Sequence, residues 1–215
     1  MDDAQLAENY ERVMEGIADA CERSGRRPED VTLIAVTKYV TMETTRQVLD
    51  LGIENIGENR IQDALPKWEA LGHRGTWHFI GHLQRNKVKD VLGRFTYIHS
   101  LDRYSLAEEI NKRAKAKDLV ANCLIQVNVS GEESKFGLAP AEVVEFAREM
   151  TQLPHLHVSG LMTMAPFVEN AEEVRPVFRH LRELRDQLYC LELPDFHSLE
   201  LSMGMSNDYT VAIEE

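Results

Sequence analysis

Cysteine is scarce and poorly placed for cross-linking: Cys21, Cys123 and Cys190 are odd in number, far apart and form no CxxC pair. That argues against a disulfide framework and a thiolate zinc site, and it fits a reducing cytoplasm. Positive charge is in deficit as well. Lys and Arg number 24 against 36 Asp and Glu, a formal net charge of -12, and such a field repels phosphate backbones and anionic lipid. Neither nucleic acid nor a membrane surface is expected as a partner, although a small anion can still bind locally. No apolar run approaches the roughly 20 residues of a membrane span. The opening "MDDAQLAENYERV" is acidic and amphipathic, unlike a signal sequence.

What is present is 43% hydrophobic and 28% charged residues over 215 positions, long enough for one large core and short for two. Residues 1–215 are therefore taken as a single domain. Leu6, Tyr10, Val13, Met14, Ile17 and Cys21 recur at helical spacing before a stop at Gly25, which predicts a helix over about 3–23. Strand and helix patterns then alternate. Strands are expected at 31–37, 53–57, 76–81, 96–100, 122–129, 157–164 and 198–203, and most are near-continuous Val/Ile/Leu runs, as strands buried on both faces are. Between them, Thr41 is placed to cap a helix ending near Gly52, Pro140 opens another, and Asn170 with Glu173 forms a cap pair ahead of Pro176. Seven β/α units behind a leading helix predict a (β/α)₈ TIM-type barrel, with a doubly wound open sheet as the alternative.

In such a barrel, chemistry sits at the C-terminal strand ends. Lys38, Asn59, Gly81, His82, Ser100, Asp102, Asn128, Met162, Thr163, Ser202 and Gly204 all fall there. A desolvated lysine is an amine nucleophile toward an aldehyde, whereas a snorkelling or salt-bridged lysine is merely structural. In "LSMGMSND", Ser202, Gly204 and Ser206 resemble an anion site, with Ser206 where an N-cap would open a helix. A capped helix start alone would explain the same residues. His78 and His82 are four apart, but Gly81 separates a strand from a turn, so no metal site is expected and His78 is read as a core or inter-strand histidine. Lys135, in "VSGEESKFG", is read as an exposed loop lysine.

Several stretches agree with one family. "LIAVTKYV", "IGENRIQDALPKWE", "WHFIGHLQRNKVK", "IHSLDR", "IQVNVSGEESKFGL", "GLMTMAP" and "LSMGMSND" together resemble the pyridoxal 5'-phosphate homeostasis proteins (YggS/PROSC group), from about residue 8 onward. The resemblance implies a single barrel similar to that of alanine racemase, with pyridoxal 5'-phosphate as cofactor. It implies that Lys38 forms a Schiff base with the cofactor aldehyde, that Asn59 lines the cofactor, and that Ser202, Met203, Gly204 and Ser206 grip its phosphate. His82 and Met162, from the predicted rim, complete the expected cofactor-binding set. The family pattern continues into a segment resembling V-R-I-G-T-x-I-F-G, which does not occur before Glu215, so the eighth strand is expected beyond that residue. The implied function is to hold and then buffer or deliver the cofactor, in vitamin B6 and amino-acid homeostasis, without robust catalysis. An amino-acid racemase or decarboxylase of low activity is the alternative. Apo forms of pyridoxal-phosphate enzymes are the expected protein partners, and the chain is expected to be monomeric.

Overall fold

The helical spacing at the start of the chain forms α1 (Asp3–Ser24), ended by Gly25 at φ +68°. The computed structural model describes residues 3–194 and 196–215. Among these are seven strands: β1 (Ile34–Val36), β2 (Asn55–Glu58), β3 (Thr76–Phe79), β4 (Tyr97–Leu101), β5 (Ala121–Gln126), β6 (Leu156–Met162) and β7 (Glu200–Ser202). Alternating with them are α2 (Met42–Asp50), α3 (Ile61–Leu71), α4 (Val88–Val91), α5 (Tyr104–Ala116), α6 (Val143–Met150), α7 (Arg175–Cys190) and α8 (Tyr209–Glu214). Every strand pair is parallel.

The strands follow one another in chain order, β1 to β7. A doubly wound sheet needs a reversal of that order, and none occurs. The sheet also curls. His99 on β4 lies 2.8 Å from the Ser202 hydroxyl on β7, although three strand spacings in a flat sheet would separate them by roughly 14 Å. The architecture is that of a (β/α) barrel whose β1 and β7 each pair on one side only. No eighth strand occurs among the described residues.

Strand ends depart from expectation where pairing partners are few. Residues 31–33 continue the apolar run, yet β1 has one neighbour, β2, and its ladder starts at Ile34. Thr41 caps α2 as expected, accepting from the Thr44 N–H at 3.1 Å. The Asn170 side chain accepts from the Glu172 N–H at 3.2 Å, while the Glu173 N–H donates to the Asn170 carbonyl at 3.0 Å. Between sheet and helices, Ile56, Trp77, Ile98, Ile125 and Leu161 pack with Leu106, Ile110, Leu181 and Leu188 in one core. A smaller cluster of Val174, Phe178, Val211 and Ala212 pins α8 to α7. Phe178 is fully buried there, a burial that contributes about 1.5–3 kcal/mol and fixes the chain just after β7.

Candidate functional site

At the end of β1 the chain turns at once. Thr37 donates its N–H to Gly57 O at 3.0 Å, and the Val40 N–H returns to Thr37 O at 3.3 Å. Lys38 and Tyr39 are the central pair of that turn, and Tyr39 takes φ +65°, a conformation glycine normally supplies. The turn follows the end of the strand expected at 31–37 and takes Tyr39 out of extended backbone. Lys38 is exposed, so burial by the chain itself does not desolvate its amine. It makes no hydrogen bond or ion pair among the described residues, whereas Arg60 lies 5.6 Å over the Tyr39 ring.

The buried lysine at this end of the barrel is Lys67. Its Nζ donates to Thr37 O at 2.7 Å and to Glu58 Oε1 at 2.8 Å, while the Thr37 hydroxyl donates to the same Oε1 at 2.6 Å. Glu58 is fully buried and Lys67 nearly so. Taking such charges out of water costs several kcal/mol each unless they pair, so the pair holds α3, β2 and the Lys38 turn in one geometry. Sequence reasoning missed it. The signal existed: Lys67 follows Ala64 by three and precedes Leu71 by four, which places it on the buried face of α3.

The remaining expected site residues lie at or beyond the C-terminal ends of the other strands. Asn59 follows β2 directly, with its side-chain oxygen buried and unpartnered among the described residues. Met162, buried at the end of β6, is in register with Ser202, and the Thr163 N–H donates to Ser202 O at 3.1 Å. Met203 packs against both apolar clusters, and Gly204 takes φ +88°. Ser206 is not a helix cap. It stands in an exposed turn, α8 begins only at Tyr209, and Asp208 closes the turn by accepting from the Met205 N–H. His82 stacks on Phe136 at 3.9 Å and sits 3.7 Å from the Asp102 carboxylate, which Arg103 pairs. Lys135 is half-buried, not an exposed loop lysine: it donates to Met164 O at 3.1 Å, pairs with Glu132 at 3.4 Å and lines a cavity of about 200 Å³.

Inside the barrel runs a polar chain. Asn55 Oδ1 lies 2.9 Å from His78 Nε2, His78 Nδ1 lies 2.9 Å from His99 Nε2, and His99 Nδ1 meets the Ser202 hydroxyl. Burial pushes His78 down to about 4; burial, with His78 adding to it, pushes His99 down to about 3. Both rings are neutral at pH 7. The reading of His78 as an inter-strand histidine holds; His99, which joins it to Ser202, went unread because its partners come from strands far apart in sequence.

Comparison with known proteins supplies a lineage. Residues 2–214 match the model of the alanine racemase N-terminal domain family. The chain is 49% identical over 212 residues to the pyridoxal phosphate homeostasis protein of Aquifex aeolicus, covering 97% of this chain and 91% of the relative. The chain belongs to the pyridoxal phosphate homeostasis protein family. Solved structures superpose closely. PipY of Synechococcus elongatus with pyridoxal phosphate bound is 31% identical, covers 92% of each chain and gives a TM-score of 0.78. A protein from Bifidobacterium adolescentis described as unknown is 35% identical, covers 100% of this chain and 92% of its own, and gives 0.93.

Proposed function

We propose that this chain binds pyridoxal 5'-phosphate at the C-terminal rim of the barrel and serves as a carrier that buffers the cofactor and delivers it to apo-enzymes. The observation that carries the reading is Lys38: a lysine at a strand end, without an ion pair among the described residues, on a turn locked from below by Lys67 and Glu58. Its ε-amine condenses with the cofactor aldehyde, forming a C=N bond and releasing one water. The residues present fit the group. Asn59 Oδ1 and Ser100 Oγ are buried polar atoms without partners among the described residues, and Gly204 lets the backbone past β7 adopt a conformation an L side chain resists. In this reading Asn59 and Met162 flank the ring, His82 borders it beneath Phe136, and Ser202, Met203 and Gly204 face the phosphate, with Ser206 at the outer edge.

Two-base racemisation needs an acid or base on each face of the substrate. The tyrosine nearest Lys38 in sequence, Tyr39, shares the lysine's own turn and is covered by Arg60, which favours the carrier over a racemase or decarboxylase. The cytoplasm is the proposed compartment, since Cys21 and Cys123 are buried free thiols; we also propose a monomer built as one domain over residues 1–215. No described helix is long and apolar enough to cross a membrane. The test is an absorbance spectrum with pyridoxal phosphate added. Wild type is expected to develop an imine band and, after borohydride reduction, a mass increase localised to Lys38. Lys38→Ala and Lys38→Arg are expected to lose both. Retention of the band in Lys38→Ala would sink the assignment and direct attention to Lys135.

A further inference from the structure

The chain through the barrel interior has a direction, and that direction decides what Ser202 can do. A neutral imidazole carries one N–H, so each ring donates at one nitrogen and accepts at the other. The Asn55 carboxamide presents its oxygen to His78 Nε2, which places the His78 proton there. His78 Nδ1 is then an acceptor and takes the N–H of His99 Nε2. His99 Nδ1 is left as an acceptor too, and the Ser202 hydroxyl donates to it at 2.8 Å. In this sense the serine turns its proton inward and presents only lone pairs to the barrel mouth. A phosphate oxygen needs a donor.

The opposite sense satisfies the same contacts. A half-turn of the Asn55 carboxamide sets its NH₂ against His78 Nε2; His78 Nδ1–H then donates to His99, and His99 Nδ1–H donates to Ser202 Oγ. The serine proton is released toward the mouth. An amide is one of the few side chains that can end such a chain in either direction. Burial, which pushes both rings far below their ordinary range, prevents them from escaping the choice by charging.

We propose that the Asn55–His78–His99 chain sets whether the Ser202 hydroxyl donates inward or outward, and that a phosphate group at the end of β7 reverses it. The inference rests on the cofactor reading above. The reversal balances: the proton between the rings crosses from His99 to His78, Ser202 passes its proton to His99 Nδ1 and takes one from solvent at the mouth, and His78 releases its Nε2 proton to solvent at the Asn55 end. Asn55, His78 and His99 are positioning residues, acting on the ligand only through Ser202.

Histidine ¹⁵N NMR of the full chain reads the tautomers directly. Without ligand, both rings are expected to be protonated at Nε2. With pyridoxal phosphate both shift to Nδ1; with pyridoxal, which lacks the phosphate, both stay at Nε2. Ser202→Ala is expected to abolish the shift and to lower the ratio of pyridoxal phosphate to pyridoxal affinity by roughly ten-fold or more, the loss of one charge-assisted hydrogen bond. If wild type takes up pyridoxal phosphate, seen in its absorbance, while both rings keep the Nε2 proton, the inference is overturned and the cofactor reading stands. A shift produced equally by pyridoxal also overturns it. Failure of wild type to take up pyridoxal phosphate overturns both.

Discussion

Lys67 is the residue on which the geometry of Lys38 depends. It is 6% exposed, and its partners among the described residues are one carbonyl and one carboxylate. Replacing it with Met keeps the stem but leaves the Glu58 carboxylate buried with the Thr37 hydroxyl as its one partner among the described residues. Removing one partner of a buried pair typically costs about 3–5 kcal/mol, so Lys67→Met is expected to lower the urea midpoint by that equivalent. The double variant Lys67→Met/Glu58→Leu is expected to recover part of the loss, because no charge is then stranded. Recovery would also separate stability from ligand geometry: with the fold restored and the Thr37 carbonyl ungripped, cofactor uptake on Lys38 is expected to stay slower than in wild type. A double variant no more stable than Lys67→Met would refute the pair as the cause.

The elements were more legible than the contacts between them. Each expected strand lies within a residue or three of an observed one, because long apolar runs bounded by caps and glycines carry their own boundaries. Register is another matter. Gly160 on β6 opposes Glu200 on β7, and a Cβ added there would stand 2.0 Å from the Glu200 carbonyl oxygen. Only a glycine lets the two backbones meet so closely, and Ser202 is placed by that pairing. Gly160→Ala is expected to destabilise the fold by about 1–3 kcal/mol and to speed hydrogen exchange at the Thr163 amide, which bonds to Ser202 O. Exchange unchanged at that amide would mean that β7 does not move. The misplaced cap at Ser206 has the same origin: Asp208, two residues on, closes the turn first, and a serine before a helix pattern does not reveal which neighbour wins.

At the scale of the whole molecule, the two buried rings link stability to pH. Unfolded histidines titrate near 6.5, whereas His78 and His99 titrate at about 4 and about 3 in the fold. Between those values the unfolded chain binds more protons than the folded one, so stability rises with pH across the window and is lost as pH falls through it. Near pH 5 the slope is expected to be roughly 2.5 kcal/mol per pH unit, measured by urea unfolding. Glu214, lowered by Arg175 and Arg23, and Glu215, lowered by Arg179 and Arg175, add the same sign, but only nearer the carboxylate range. A flat profile between pH 6.5 and 5 would show that the rings titrate normally.

The sequence by itself determined the β/α alternation, the parallel sheet, the rim on which Lys38, Asn59, Met162 and Ser202 stand, and the family. These rest on local periodicity, on caps and on motifs that are contiguous in the chain. Tertiary structure alone decided that Lys67 and Glu58 clamp the Lys38 turn, and that His78 and His99 connect Asn55 to Ser202. Those facts depend on which side chains meet across strands as far apart as β2 and β7, and burial and hydrogen-bond direction exist only once the barrel has brought them together.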